Sequence, residues 1–163
     1  MRGKQATRRK TKPDIKYSSV LVSKFITYLM RRGKKSTAQR IVYTCFDLID
    51  EKIKKGQIKP EFKTAIDVFD GAIRNISPVL EVRGRRIGGG NYQIPFPVKG
   101  DRKMALAFRW LITAAKKKKG KTMAQKLSEE LIDALNETGE AYKKKLDVHK
   151  MAEANRAFAH FAR

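Results

Sequence analysis

The sequence predicts a mainly α fold: a six-helix bundle with a protruding two-stranded β-hairpin between helices three and four and an extended basic N-terminal arm. Three observations predict it. Apolar residues recur at three- and four-residue spacing through most of the chain beyond residue 19. One segment, VLEVRGRRIGGGNYQIPFPV at residues 79–98, lacks that period and reverses at Gly88, Gly89 and Gly90. The first residues carry Arg2, Lys4, Arg8, Arg9, Lys10 and Lys12 without an apolar period, and Pro13 breaks any helix there. The expected division is an arm at 1–18 and one helical domain at 19–163, with the hairpin arm at 79–98 and a C-terminal helix and tail at 140–163.

The first helix starts at Ser19 and carries Val22, Phe25, Ile26, Leu29 and Met30 on one face. It ends at Arg31-Arg32-Gly33, where glycine suits a left-handed cap and the arginines suit the negative end of the dipole. Ser36 and Gln39 form a capping-box pattern for the second helix, which runs through Ile41, Val42, Cys45, Phe46, Ile49 and Ile53 to Gly56. Pro60 fits the first turn of a third helix with Phe62, Ile66, Phe69, Ile73 and Ile76 on one face, stopped by Pro78.

In the hairpin, Leu80, Val82 and Ile87 mix with Arg83, Arg85 and Arg86 on the first limb. Tyr92, Ile94, Phe96 and Val98 alternate with Gln93, Pro95 and Pro97 on the second, the period of a pleated strand. Prolines cannot donate to a ladder, so this limb is an edge, and no third strand-like run exists to pair with it. A lone ribbon projecting from the body is expected. Tyr92 either stacks on an unpaired base or packs across the ribbon on Ile87, and packing is favoured because cross-strand aromatic pairs stabilise ribbons.

Asp101 is a natural N-cap for a fourth helix bearing Ala105, Phe108, Leu111, Ile112 and Ala115, with Trp110 near the same side. That helix ends in Lys116, Lys117, Lys118, Lys119, Gly120 and Lys121. Thr122 and Gln125 repeat the capping-box pattern before Met123, Leu127, Leu131, Ala134 and Leu135. Tyr142, Leu146 and either His149 or Met151 lead into MAEANRAFAHFAR, a sixth and weaker helix with a loose end.

Composition bounds the function. In 163 residues, 38 Lys and Arg face 16 Asp and Glu, a formal charge of +22, while 41% hydrophobic residues supply one packed core. Such a charge repels itself in a compact state and calls for a polyanionic partner, nucleic acid before membrane surface. The excess sits in two blocks. Residues 1–40 hold 13 basic and 1 acidic side chain and residues 71–128 hold 14 and 2, whereas residues 41–70 and 129–163 are near neutral. A basic face built from the N-terminal third and the middle of the chain follows. Isolated lysines such as Lys52, Lys54 and Lys63 read as solvated helix surface.

Catalysis and metal binding find no support. His149 and His160 have no metal-ligand spacing, so no metal and no cofactor is expected. The lone Cys45 reads as a buried thiol. Asp47, Asp50 and Glu51, like Glu129, Glu130 and Asp133, read as helix surface charge without a nucleophile beside them. The glycine run lacks the ending and the following helix of a phosphate loop. No apolar run approaches a membrane span and no signal pattern is present, so the chain reads as soluble. An architectural DNA-binding protein is the alternative class, since it too is small, basic and armed with a β-ribbon. A membrane-surface or calmodulin-type binder would need an uncommitted apolar helix face.

The motifs themselves resemble a family. Gly33-Lys34-Lys35 followed by Ile41-Val42 and Cys45, the arm VRGRRIGGGNYQIP, RWL and AA between Arg109 and Ala115, KTMAQKL from Lys121, and VHKMAEANRAFAH from Val148 resemble bacterial-type ribosomal protein seven of the small subunit. Five blocks in order span almost the whole chain. The resemblance implies a six-helix body with a β-ribbon between helices three and four, acting without chemistry in the cytoplasm, in the ribosome. It implies direct binding to the head-forming domain of small-subunit rRNA, nucleation of head assembly, and a place at the subunit interface near exit-site tRNA and mRNA.

By the same resemblance, Arg2, Lys4, Arg8, Arg9, Lys10, Lys12, Arg31, Arg32, Lys34, Lys35, Arg102, Lys103, Arg109, Lys116, Lys117, Lys118, Lys119 and Lys121 engage rRNA. The hairpin, with Arg83, Arg85, Arg86, Gly88, Gly89, Gly90 and Tyr92, faces tRNA and mRNA. The ninth and eleventh small-subunit proteins are implied neighbours, with no membrane partner. The chain stops at Arg163, short of the longer tail of some relatives, so contacts of such a tail are not carried over.

Overall fold

Among the described residues, helical periodicity becomes six α-helices: α1 (Val20–Leu29), α2 (Lys35–Lys54), α3 (Ala65–Ile76), α4 (Gly100–Lys117), α5 (Met123–Leu135) and α6 (Gly139–Ala154). Strands β1 (Leu80–Ile87) and β2 (Gly90–Pro97) separate α3 from α4, and a 3-10 segment, Arg156–Ala162, follows α6. The structure, a computed structural model, describes Gly3, Ala6, Thr7 and residues 10–162. Arg2, Lys4, Arg8 and Arg9 of the basic arm lie outside the described residues.

The core is set by phenylalanines from four helices. Phe25 of α1 lies 5.2 Å from Phe69 of α3 and 5.3 Å from Phe108 of α4, and Phe46 of α2 lies 5.5 Å from Phe69. All four are buried. Tilted ring pairs at these distances match the aromatic quadrupole and add about 0.5–1.5 kcal/mol each beyond area burial. α5 packs against α2, α3, α4 and α6, contributing Leu127, Leu131 and Ala134 to the interior. Cys45 is buried as expected, and burial pushes its thiol pKa up, which keeps it inert.

Helix starts depart from the sequence reading where capping chemistry was assigned by pattern alone. α2 begins at Lys35, and no side chain caps it, so the Ser36 and Gln39 capping box does not form. α3 begins after Pro60 has passed in a turn; Thr64 and Asp67 make the capping box, and Asp50 accepts from the Ala65 N–H at 2.9 Å. Lys99, not Asp101, is the N-cap of α4; Asp101 sits in the first turn and receives Lys24 at 2.7 Å. α1 closes at Leu29, before the arginines, while Arg32 and Gly33 turn the chain with φ of 49° and 73°. At Thr122 with Gln125 the expected capping box is present, and Ser19, where the helical period begins, caps α1 by accepting from the Val22 N–H.

The hairpin is antiparallel, with Ile87 opposite Gly90, Arg85 opposite Tyr92 and Arg83 opposite Ile94. Only two of the three glycines turn the chain. Gly88 and Gly89 have φ of 56° and 88°, the two positive values of a type I′ turn, whose twist matches the flanking strands. Gly90 is already a strand residue, closely overlain by the Tyr92 ring. The ribbon is also not alone. The 3-10 segment lies along β2, α6 contacts both strands, and Ile94 is fully buried, so the ribbon projects chiefly at its tip, beyond Arg85 and Tyr92.

Candidate nucleic-acid interface

α1 and α4 run side by side in the same direction, and their pairing fixes the face on which the two basic blocks meet. Lys24 pairs with Asp101 near their starts, and the Tyr28 and Phe108 rings lie 5.4 Å apart further along. Beyond that, Leu29 and Lys116 line one cavity. The arm enters at the starting end, where Thr11 shares a cleft with Lys24, Thr27, Tyr28 and Asp101. Its root is held by Asp14, which is buried and accepts from the Tyr43 hydroxyl at 2.9 Å and from the Lys16 and Tyr17 N–H groups. Burial, then the Asp14 carboxylate, raises the Tyr43 pKa, so the hydroxyl remains a donor. Lys10 and Lys12, just upstream, are exposed.

The far end of this face is the α1–α2 turn. Arg31, Arg32, Lys34 and Lys35 are all exposed there. With no acidic residue in the first turn of α2 and no side-chain cap, the positive end of its dipole is open beside these cations. Lys116 arrives from the end of α4, about eighty residues away in sequence, to line the same cavity as Arg31 and Lys34. Arg102, Arg109 and Lys116 recur every seven residues and therefore follow one stripe of α4. Lys117, Lys119 and Lys121 are exposed in the segment that follows, and Lys103 is half-buried.

Four of the expected contact residues are engaged with carboxylates instead of facing solvent freely. Lys118 turns inward, 3.0 Å from Glu130 Oε2 and 2.8 Å from Asp133. Burial alone would depress its pKa, but the hydrogen bond to Asp133 and the ion pair with Glu130 outweigh burial and raise it. Arg83 and Arg102 converge on buried Glu81, Arg83 on Oε1 and Arg102 on Oε2 at 2.9 Å. Lys121 pairs at 2.5 Å with Glu129, and that hydrogen bond lowers the Glu129 pKa.

The hairpin arginines divide between two faces because side chains alternate along a strand. Arg83 and Arg85 share a face with Phe96, their guanidinium carbons 5.3 and 5.8 Å from its ring centre, while Arg86 lies on the opposite face beside Asn91. Arg85 also donates to the Phe161 carbonyl at 3.0 Å. Tyr92 packs, as favoured, and its ring lies 5.0 Å from Phe158 of the 3-10 segment, a partner that the sequence did not indicate.

Comparison with known proteins matches residues 1–156 to the family of ribosomal protein S7p/S5e. The chain belongs to that family. It is 53% identical over 156 residues to the small ribosomal subunit protein uS7 of Chloroflexus aggregans, covering 96% of this chain and 94% of that one. Its identity to uS7 of Thermotoga neapolitana is 51% over 161 residues, 99% of each chain, and to uS7 of Petrotoga mobilis 52% over 161 residues, again 99% of each. As a member of the S7p/S5e family it is a structural, non-enzymatic constituent of the small ribosomal subunit, working in the ribosome in the cytoplasm. Binding of rRNA follows from the family, and the alternative of an architectural DNA-binding protein is not supported.

For this S7p/S5e chain, charge counting located the cations but missed the carboxylates that orient them. Asp14, Glu81 and Glu130 are all buried, and Glu130, expected on a helix surface, is 0% exposed. Their only sequence signal is position: Asp14 and Glu81 are the sole acids amid long basic or uncharged runs, apart from Asp101. His149 was also undecided in sequence. Its Nε2 accepts from the Val79 N–H at 3.1 Å and so ties α6 to the hairpin base. Among the described residues no helix is long and apolar enough to cross a membrane and no acidic, His and Cys group could hold a metal.

Proposed function

We propose that the protein is a primary binder of small-subunit rRNA that nucleates assembly of the subunit head and lies at the subunit interface, its hairpin directed toward exit-site tRNA and mRNA. One observation carries this reading: Arg31 and Lys34 from the N-terminal basic block and Lys116 from the middle block line a single cavity. Two runs of cations brought together by the fold match a polyanion with fixed shape, as structured RNA is. Phosphates would lie along α1 and α4 from the arm root to the α1–α2 turn. The bundle is thereby the anchor, and the ribbon is the reach. The ninth and eleventh small-subunit proteins are the neighbours that the family resemblance implies. The domain division at residue 19 separates an arm that follows rRNA from a body that folds around the phenylalanine core.

The test separates anchor from reach. Arg31, Lys34, Lys117 and Lys119 replaced by alanine should weaken binding to transcribed small-subunit rRNA and reduce the log–log salt slope by about 0.7–0.9 per lost contact. Shortening the hairpin across residues 85–92 should leave that slope and head assembly intact while subunits lose exit-site tRNA in filter binding. Wild-type tRNA retention by such subunits would remove the positional role of the hairpin.

A further inference from the structure

We propose that the cavity where α1, α2, α4 and α5 meet receives an unstacked nucleobase of the bound RNA, seated on Leu29, Ile41 and Met123, with flanking phosphates held by Arg31, Lys34 and Lys116. The proposal rests on the reading that this face meets rRNA. The cavity measures about 390 Å³, and its floor is almost wholly apolar, completed by Ala38. Leu29, Ile41 and Met123 sit on helix faces committed to the core by periodicity, yet all three remain partly exposed. Closing such a floor removes apolar surface from water, which is favourable for any occupant with a flat, weakly hydrated face.

The rim selects the occupant. No carboxylate lines it, and among the described residues none of its three cations makes an ion pair. An apolar peptide or acyl chain would satisfy the floor and leave the rim unmatched. A nucleotide matches both, because its base is a π-faced apolar plate and its two phosphates diverge from it by a short tether. The N-terminus of α2, which no side chain caps, lies at the same rim, and the positive end of its dipole favours a phosphate there. Thr37, exposed at the mouth, offers a hydroxyl that donates or accepts at a base edge. Recognition on this face is then more than phosphate tracking: the RNA must present an unpaired residue at this position.

Full-length protein and transcribed small-subunit rRNA test this through two kinds of substitution. Ile41→Ser with Met123→Ser should weaken binding about tenfold at every salt concentration with an unchanged salt slope, since no phosphate contact is removed. Lys34→Ala with Lys116→Ala should instead flatten the slope. Ultraviolet crosslinking of the wild-type complex should place a nucleotide adduct on the peptide containing Met123 or on that containing Ile41, which tests the cavity without any variant. Unchanged affinity of the folded serine variant, or no adduct on either peptide, overturns the base site. A retained slope effect in the lysine variant would then leave the rRNA face standing, whereas loss of both effects removes that reading too. Crosslinks from these peptides to another ribosomal protein in assembled subunits would overturn the proposal in favour of a protein partner.

Discussion

Lys118 shows how far a single side chain can depart from its neighbours in a run of four lysines. Glu130 is fully buried; its Oε1 accepts from the Ala141 N–H at 2.9 Å, and Lys118 supplies the charge beside Oε2 as an ion pair and not an aligned hydrogen bond. Gly139 permits this approach, since it holds φ of +84° and a Cβ there would meet Glu130 Oε1 at 2.9 Å. Removing one partner of such a pair strands the other charge. Lys118→Met should therefore lower stability by about 3 kcal/mol in denaturant unfolding, and adding Glu130→Gln should recover much of it while keeping the acceptor for Ala141. Because the folded pKa of Lys118 is raised, its contribution is present through neutral pH and is lost as pH rises past the ordinary lysine value through the folded one. His149 is the opposite case. Burial, then Lys145, lowers its pKa, so the hairpin-base contribution is present above about pH 6.5, the free imidazole value, and fades as pH falls through the folded one. NMR titration of the imidazole should give a midpoint below that free value; a midpoint above it would contradict a neutral acceptor. Neither role was legible in sequence, because a lysine in a basic run and a histidine in a weak helix give no sign of which way they turn.

At the scale of elements, the hairpin was the most legible feature and its surroundings the least. Alternation and the glycine run located both strands, yet they said nothing of the C-terminal segment folding over β2, since that contact joins positions about seventy residues apart and has no local pattern. The same limit hid Glu81. This carboxylate, 5% exposed, draws Arg83 of its own strand and Arg102 of α4 to one point, which fixes the ribbon's exit angle from the body. Two of the cations read as RNA contacts are therefore also hinge pins. Glu81→Ala should free both guanidinium groups and loosen the ribbon, seen as faster amide exchange through Leu80–Ile87 and Gly90–Pro97 with little change in α1 to α5. Uniform loss of protection across the bundle would mean that Glu81 supports the core and not the hinge. The helices, in contrast, were legible because burial imposes a period on each; the starts of α2, α3 and α4 were misread, since a Ser, Thr, Asp or Pro near a helix start does not by itself decide which residue meets the orphan N–H groups.

Over the whole molecule, a charge of +22 on 163 residues sets two effects of salt against each other. The aromatic core holds the bundle together, but cations at the arm root, the α1–α2 turn and the end of α4 crowd one face and repel. Screening relieves that repulsion in the free protein and weakens attraction to RNA in the complex. Raising ionic strength from roughly 50 to 300 mM should therefore raise the thermal midpoint of the isolated protein while lowering its affinity for rRNA. The two slopes should share an origin. Alanine at Arg31, Lys34 and Lys117 should flatten both together, because the same charges destabilise the free fold and bind the RNA. Alanine at the near-neutral surface lysines Lys52, Lys54 and Lys63 should flatten neither. A thermal midpoint that falls with added salt would show that surface ion pairs such as Lys16 with Asp47 and Lys24 with Asp101 outweigh the repulsion, and that the basic face is balanced within the chain instead of by its partner.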